Sequence, residues 1–148
     1  MKILVINGPN INFIGIREPE VYGTNDFNAL RQMIMKKGAQ NDHLIEIFQS
    51  NHEGDIIDKI QECYYEKVDG IVINPGALSH YSYAIHDALK SLPDIAKVEV
   101  HISDIMHREE EWRKISVTAP ACNHMIYGRG LEGYLDAITY LEENAKNS

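Results

Sequence analysis

Residues 2–10 read Lys-Ile-Leu-Val-Ile-Asn-Gly-Pro-Asn, four apolar residues that run directly into an Asn-Gly-Pro turn. A short run rich in β-branched residues predicts a buried first strand. The run is too short to be the core of a signal peptide. The same pattern of a short apolar run and a turn rich in Gly, Asn or Ser returns four more times. These further runs are 44–48, 71–73, 98–102 and 125–127.

Amphipathic stretches lie between several of these apolar runs. The stretches with apolar residues at helical spacing are 56–64, 85–92 and 134–141. Ser50 and Glu53 form a candidate capping box before the first, and Pro93 is expected to end the second. Strands that alternate with helices predict an α/β fold, here a doubly wound parallel sheet of about five strands with helices on both faces.

Length and composition limit the classes of function. The chain has 148 residues, and we expect them to form one catalytic domain over 1–148. Fourteen basic and 22 acidic residues give a net charge of −8, which argues against nucleic acid or anionic membrane surfaces as partners. No apolar run reaches the roughly 18 residues of a membrane span. Cys63 and Cys122 share no motif, so we expect two reduced, partly buried thiols in a cytoplasmic protein.

The predicted fold also indicates where a site would lie. Ligands of doubly wound sheets bind beyond the carboxyl ends of the strands, near the point where strand order reverses. Polar residues are concentrated at these ends in four segments of similar composition. The segments are 7–12, 49–52, 74–77 and 101–103. The sequence therefore predicts one polar site at this edge of the sheet.

The sequence contains neither a complete dinucleotide-binding motif nor a metal-binding motif. Residues 128–133 match G-x-G-x-x-G, but the dinucleotide fingerprint needs a second strand with an acidic residue about 20 positions later. Only one helical stretch follows here, so a tightly packed helix start is the better interpretation. The seven histidines form no metal-ligand motif with one another or with cysteine, and we expect no metal site.

The segment after the first strand is unusually long for a strand–helix connection in this fold. Residues 8–23 read GPNINFIGIREPEVYG and contain a cation, Arg17, and a phenol, Tyr22. A loop of this length over a strand-end crevice predicts a lid, which we place at about 8–24.

Five blocks of the chain resemble the successive motifs of the type II 3-dehydroquinate dehydratases. The blocks are GPNINFIGIREPEVYG, FQSNHEGDIID, NPGALSHYSYAIHDAL, EVHISD and GRGLEGYLDAI. They occur in the family's order and spacing over nearly the whole chain. The resemblance implies a flavodoxin-like three-layer α/β/α domain that assembles into trimers and then a homododecamer. It also implies cofactor-free dehydration of 3-dehydroquinate to 3-dehydroshikimate.

The resemblance assigns four catalytic residues, and strand alternation adds a fifth. Tyr22 is the base that removes a proton α to the ketone, and Arg17 stabilises its phenolate. Asn10 holds a water against the developing enolate oxygen. His101 is the acid for the departing hydroxyl, and strand alternation predicts that Glu99 lies on the same face and orients its imidazole.

The resemblance assigns six residues to substrate binding: Asn74, His80, Asp87, Ile102, Ser103 and Arg113. Asn74 and the backbone amides of Ile102 and Ser103 receive the substrate carboxylate. His80 and Arg113 contact ring hydroxyls. Asp87 reaches the site of a neighbouring subunit.

The chain departs from the family pattern at two places. The family usually has R-E-E-F-R after the histidine, but Arg108 and Arg113 are separated here by one extra residue. In a helix this changes their relative phase by about 100°. Arg113 is the favoured substrate arginine, and Arg108 a lid-locking candidate, with the reverse assignment open. Tyr81 replaces a smaller threonine and is expected to crowd the site.

Two other classes of protein share this fold. A flavodoxin-like module that binds FMN or a nucleotide would need phosphate-cradling loops rich in Ser, Thr and Gly, which the Asn-, His- and Pro-containing loops here do not resemble. A signalling receiver domain would need acidic residues after the first and third strands and a lysine near the fourth. Asn7, Asn74 and His101 occupy those positions.

Overall fold

A computed structural model describes residues 1–16 and 25–145 of the chain. Five strands form one parallel sheet in the order β2-β1-β3-β4-β5. The strands are β1 (Lys2–Asn7), β2 (Leu44–Gln49), β3 (Gly70–Asn74), β4 (Ala96–His101) and β5 (His124–Tyr127). This is the flavodoxin-like order, and each predicted apolar run lies in or overlaps one strand.

Helices cover both faces of the sheet and divide the core into two layers. The helices are α1 (Phe27–Gln40), α2 (Glu53–Tyr65), α3 (Tyr83–Lys90) and α4 (Glu132–Ala145). One core lies between the sheet and the pair α1 and α4, with Leu30 and Ile138 fully buried. The other lies beneath α2 and α3, with Ile60 and Leu89 fully buried. The predicted doubly wound three-layer architecture is confirmed.

The local prediction for the start of α2 was wrong. His52, not Ser50, is the N-cap residue. Ser50 Oγ accepts from His52 N at 3.0 Å and donates to Asp55 Oδ2 at 2.9 Å. Glu53 instead accepts from Ser82 Oγ at 2.5 Å, so its carboxylate ties α2 to the start of α3. The Ser-x-x-Glu spacing is present, but Ser50 and Glu53 form hydrogen bonds other than those of a capping box.

The segment 128–133 is a helix start, as predicted. Gly128 and Gly130 have φ values of 75° and 59°, a backbone region that disfavours larger residues. A Cβ atom on Gly133 would lie 3.3 Å from Val100 Cγ1. The glycines therefore serve the turn and the close approach of α4 to the sheet.

Strand order reverses between β1 and β3, and the loops after these strands meet there. Gly8 N donates to Asn74 O at 2.8 Å. A Cβ atom on Gly8 would lie only 2.3 Å from Pro75 O, and one on Gly76 2.9 Å from Pro9 O. Only glycine permits this contact between the two backbones, which brings the polar ends of both strands to one place.

Cys63 is buried and Cys122 partly buried, and both are free thiols. None of the helices within the described residues is long and apolar enough to cross a membrane.

Candidate active site

A cavity of about 260 Å³ lies at the carboxyl edge of the sheet, beside the reversal point. The loops after β1, β3 and β4 form its walls. The sequence-predicted residues that line it are Asn10, Asn74, His80, His101, Ile102, Ser103 and Arg113, and Arg108 joins them. Seven of the residues predicted from the sequence therefore line one cavity, because parallel strands end at one edge.

Glu99 and His101 form a buried pair, as strand alternation predicts. His101 Nε2 donates to Glu99 Oε2 at 2.6 Å, and Glu99 is fully inaccessible to solvent. Glu99 also accepts hydrogen bonds from Ser116 Oγ at 2.6 Å and from Thr118 Oγ1. The carboxylate thus fixes which imidazole nitrogen carries a proton and orients the ring toward the cavity.

Asn74 is held by a buried hydrogen-bond chain that links three elements. Its Nδ2 donates to Tyr134 Oη at 2.8 Å, and Tyr134 Oη donates to Asn7 Oδ1 at 2.6 Å. Asn74 Oδ1 accepts from Gly76 N at 3.1 Å. These bonds fix the orientation of the Asn74 amide at the cavity wall and leave one of its two N–H bonds for a ligand.

The backbone carbonyl groups of Ile102 and Ser103 accept hydrogen bonds from the turn that precedes α4. Gly130 N donates to Ile102 O and Gly128 N to Ser103 O, both at 3.0 Å. Within the described residues, the N–H groups of Ile102 and Ser103 donate to no protein acceptor. Two adjacent amides without an acceptor at a cavity wall suit an anionic ligand such as a carboxylate.

His80 also lines the cavity. Its Nδ1 donates to Ile115 O at 2.7 Å, and its ring packs edge-on against Trp112 with 5.4 Å between centroids. Burial lowers the pKa of His80; the hydrogen bond to Ile115 opposes this, while the charges of His101, Arg113 and Arg108 reinforce it. His80 is therefore neutral at neutral pH, and Nε2 is the ring atom that can accept a hydrogen bond from a ligand hydroxyl.

Arg108 and Arg113, which lie on the segment that follows β4, both line the cavity. Arg108 Nη2 donates to Ser103 Oγ at 2.6 Å. Arg113 stacks on Trp112 with its Cζ 4.2 Å from the ring centroid, and its Nε lies 3.0 Å from Glu110 Oε2.

The helical-phase argument about these arginines was wrong, because they do not share a helix. Two short 3₁₀ turns, Ile105–His107 and Glu111–Lys114, are separated by extended backbone. The expectation for Tyr81 was also wrong: its side chain is 62% exposed and is not part of the cavity wall.

The remaining sequence-predicted residues include Arg17, Tyr22 and Asp87. Arg17 and Tyr22 lie outside the described residues. Asp87 lies on α3 with its side chain 81% exposed, away from this chain's cavity, and its nearest partner is His86 Nδ1 at 3.2 Å. Asn10, by contrast, lines the cavity in a left-handed conformation (φ 68°), with its N–H donating to Asn51 Oδ1 at 3.0 Å.

Residues 1–16 and 25–145 bring no group of three His, Cys, Asp or Glu side chains into a metal-binding arrangement. Compared with known protein families, the chain matches the model described as dehydroquinase class II over residues 1–142. The chain belongs to this family. Its loops and cavity can therefore be compared with those of other class II dehydroquinases.

Individual relatives agree with the family match. The chain is 61% identical to the 3-dehydroquinate dehydratase of Lachnospira eligens over 138 residues, 93% of each protein. The type II dehydroquinase of Butyrivibrio crossotus superposes with a TM-score of 0.94 at 58% identity, covering 96% of this chain and 97% of that one. That of Propionibacterium acnes gives 0.89 at 38% identity, over 95% and 94%. A flavodoxin-like FMN- or nucleotide-binding module is not favoured.

Sequence reasoning missed the residues that support the site. Tyr134 reads as part of the apolar stripe of α4, and nothing local shows that its hydroxyl joins two asparagines. Ser116 and Thr118 follow no recognisable motif. Asn51 was noted only as part of a polar segment. Their partners are far away in sequence, so only the tertiary structure identifies them.

Proposed function

We propose that the protein catalyses the dehydration of 3-dehydroquinate to 3-dehydroshikimate, as a hydro-lyase of the shikimate pathway or of quinate breakdown. The observation that carries this proposal is the buried Glu99–His101 pair at a cavity lined by two arginines, in a class II dehydroquinase chain. The reaction removes a proton α to a ketone, forms an enolate and expels a β-hydroxyl as water.

The acid half of the reaction is assigned to His101. With Nε2–H donated to Glu99, the imidazolium carries its second proton on Nδ1, which has no acceptor among the described residues. That proton passes to the departing hydroxyl, so that water leaves and the C–O electron pair departs with it. The enolate electrons then form the conjugated double bond. The Glu99 carboxylate, 2.6 Å from Nε2, accepts the hydrogen bond from that atom and so fixes the orientation of the ring for proton donation.

The base half is assigned to Tyr22 and Arg17 by resemblance to the family. A phenol is about 0.1% ionised at neutral pH, and an adjacent guanidinium raises that fraction by stabilising the phenolate. Asn10, which lines the cavity, is proposed to hold a water against the enolate oxygen.

The substrate carboxylate is proposed to bind the Asn74 amide and the N–H groups of Ile102 and Ser103. The unengaged donors at this wall support the assignment. His80 and Arg113 are proposed to contact the ring hydroxyls, His80 as an acceptor through Nε2. Arg108 is assigned to the same cavity, where it also positions Ser103.

Asp87 is proposed to complete the site of a neighbouring subunit, since its exposed carboxylate is remote from this chain's cavity. This assignment goes with assembly of trimers into a homododecamer. We further propose that residues 1–148 form one catalytic domain, with about 8–24 as its lid, and that the enzyme is cytoplasmic.

The test is direct turnover. The purified protein is mixed with 3-dehydroquinate, and the conjugated enone of the product is followed by its ultraviolet absorbance. His101→Asn is expected to lower kcat by at least about 100-fold, in line with the usual contribution of a general acid. Tyr22→Phe should abolish turnover.

His124→Asn is the matched control, because His124 is exposed and lies at the opposite edge of the sheet. It should retain the parent rate. Absence of turnover by the folded parent protein would refute the proposed function. Full activity in His101→Asn would refute only the acid assignment.

A further inference from the structure

The carboxylate of Glu99 has two hydrogen-bond donors besides the catalytic imidazole. Its Oε2 accepts from both His101 Nε2 and Ser116 Oγ at 2.6 Å, and its Oε1 accepts from Thr118 Oγ1. Glu99 is wholly shielded from water, so these three groups replace its hydration. A buried carboxylate without such donors favours its neutral form.

Both hydroxyls donate to Glu99, because only they carry a hydrogen that can form these bonds. Each hydroxyl carries one hydrogen, whereas an ionised carboxylate can only accept. Ser116 Oγ and Thr118 Oγ1 lie 3.2 Å apart, but with both protons directed at Glu99 neither hydroxyl donates to the other. Ser116 Oγ also accepts from Ala119 N at 3.0 Å, which fixes the direction of its lone pair and hence of its O–H bond.

The segment that carries these hydroxyls, residues 115–119, is docked on the turn that carries His80. We call this segment the hydroxyl strap. Val117 N donates to Ser79 O, and His80 Nδ1 donates to Ile115 O, both at 2.7 Å. Neither Ser116 nor Thr118 is part of the cavity wall. The strap therefore contacts Glu99 on the side away from the cavity and does not touch a ligand in the cavity.

Resting on the proposed function, we propose that Ser116 and Thr118 are positioning residues that hold the Glu99 carboxylate in place and share its negative charge, and that they thereby set how readily His101 gives its proton to the departing hydroxyl. The hydroxyls share the negative charge of Glu99. If one is removed, the imidazolium becomes the main compensation for that charge. Its proton is then held more tightly, and the acid becomes weaker.

Other titratable and charged groups face the pair from the described residues. The charges of Glu99 and Lys97 both act on Cys122, and His80, Arg108 and Arg113 line the cavity in front of the pair. None of these groups contacts a hydroxyl of the strap. Substitution within the strap therefore changes the donors to Glu99 while leaving the surrounding charges in place.

The experiment compares two substitutions at one position. Thr118→Val removes the hydroxyl and keeps the branched shape, whereas Thr118→Ser keeps the hydroxyl. For Thr118→Val we expect kcat to fall about tenfold, one order of magnitude of the general-acid contribution, with KM within about twofold. The basic limb of the kcat–pH profile should move up by about one pH unit. Thr118→Ser should stay within about twofold of the parent in kcat.

Circular dichroism establishes which variants fold. If Thr118→Val does not, Ser116→Ala takes its place, with the same fall in kcat and the same shift expected. A folded variant with the parent's kcat–pH profile would overturn the proposal, as would a change in KM alone or an equal loss in Thr118→Ser. An inactive parent protein would refute the proposed function instead, so the two failures are distinguishable.

Discussion

Tyr134→Phe tests whether the hydrogen-bond chain behind Asn74 supports the site. The substitution removes a donor to Asn7 Oδ1 at 2.6 Å and an acceptor for Asn74 Nδ2 at 2.8 Å. Tyr134 and Asn7 are fully buried and Asn74 is 3% exposed, so bulk water does not replace the lost partners. Leaving two buried polar groups with fewer partners costs about 1–3 kcal/mol each, so we expect a loss of about 2–6 kcal/mol in the free energy of unfolding.

The assay is urea unfolding of parent and variant at one protein concentration, since assembly would make apparent stability concentration-dependent. Tyr140→Phe is the matched control, because Tyr140 lies on the same helix and its hydroxyl bonds to no described residue. It should change the free energy of unfolding by less than about 0.5 kcal/mol. In turnover, Tyr134→Phe should raise KM more than it lowers kcat, because Asn74 loses its alignment. A loss no larger than that of the control would refute the reasoning.

Two further predictions concern packing and thiol chemistry. Gly8→Ala should lower the free energy of unfolding by about 2–3 kcal/mol in urea melts, because its Cβ would lie 2.3 Å from Pro75 O. Gly54→Ala, with open space around it, should instead stabilise by about 0.5–1 kcal/mol, and similar behaviour of the two variants would contradict the model of loop contact. Burial raises the pKa of both Cys63 and Cys122 to about 12. Because a raised thiol pKa favours the neutral form, roughly one thiol in ten thousand is ionised at pH 8. Ellman's reagent should thus react far more slowly with native than with unfolded protein, and equal rates would refute this prediction.

The strands were predictable because their signal is local, and one helix was not. All five apolar runs correspond to strands, since a buried parallel strand reads as a continuous apolar segment. Helix α1 (Phe27–Gln40) gave no comparable pattern. Its buried positions are Leu30, Ile34 and Gly38, and the third has no side chain to contribute to an apolar stripe. A Cβ on Gly38 would lie 2.8 Å from Ile45 Cδ1, so close packing selects the residue that weakens the sequence signal.

The same distinction holds at the site. The pairing of Glu99 with His101 follows from the two-residue period of a strand, so sequence alone was sufficient. The bond between Tyr134 and Asn7 joins residues 127 positions apart and depends on sheet order and on where α4 begins. The arginines were misjudged for another reason: relating Arg108 to Arg113 by helical phase assumed a continuous helix where extended backbone intervenes.

The net charge of −8 argues against polyanions as partners but not against a small anion. Arg113 is balanced by Glu110 at 3.0 Å, a pairing suited to neutral ring hydroxyls. Arg108 donates to the neutral hydroxyl of Ser103, and among the described residues no carboxylate forms an ion pair with it. Screening in physiological salt acts over about 8 Å, so a ligand in the cavity experiences Arg108 more strongly than the acids spread over the surface. The charge that matters for a carboxylate substrate is therefore set by a few residues at one edge of the sheet, with the opposite sign to the whole chain.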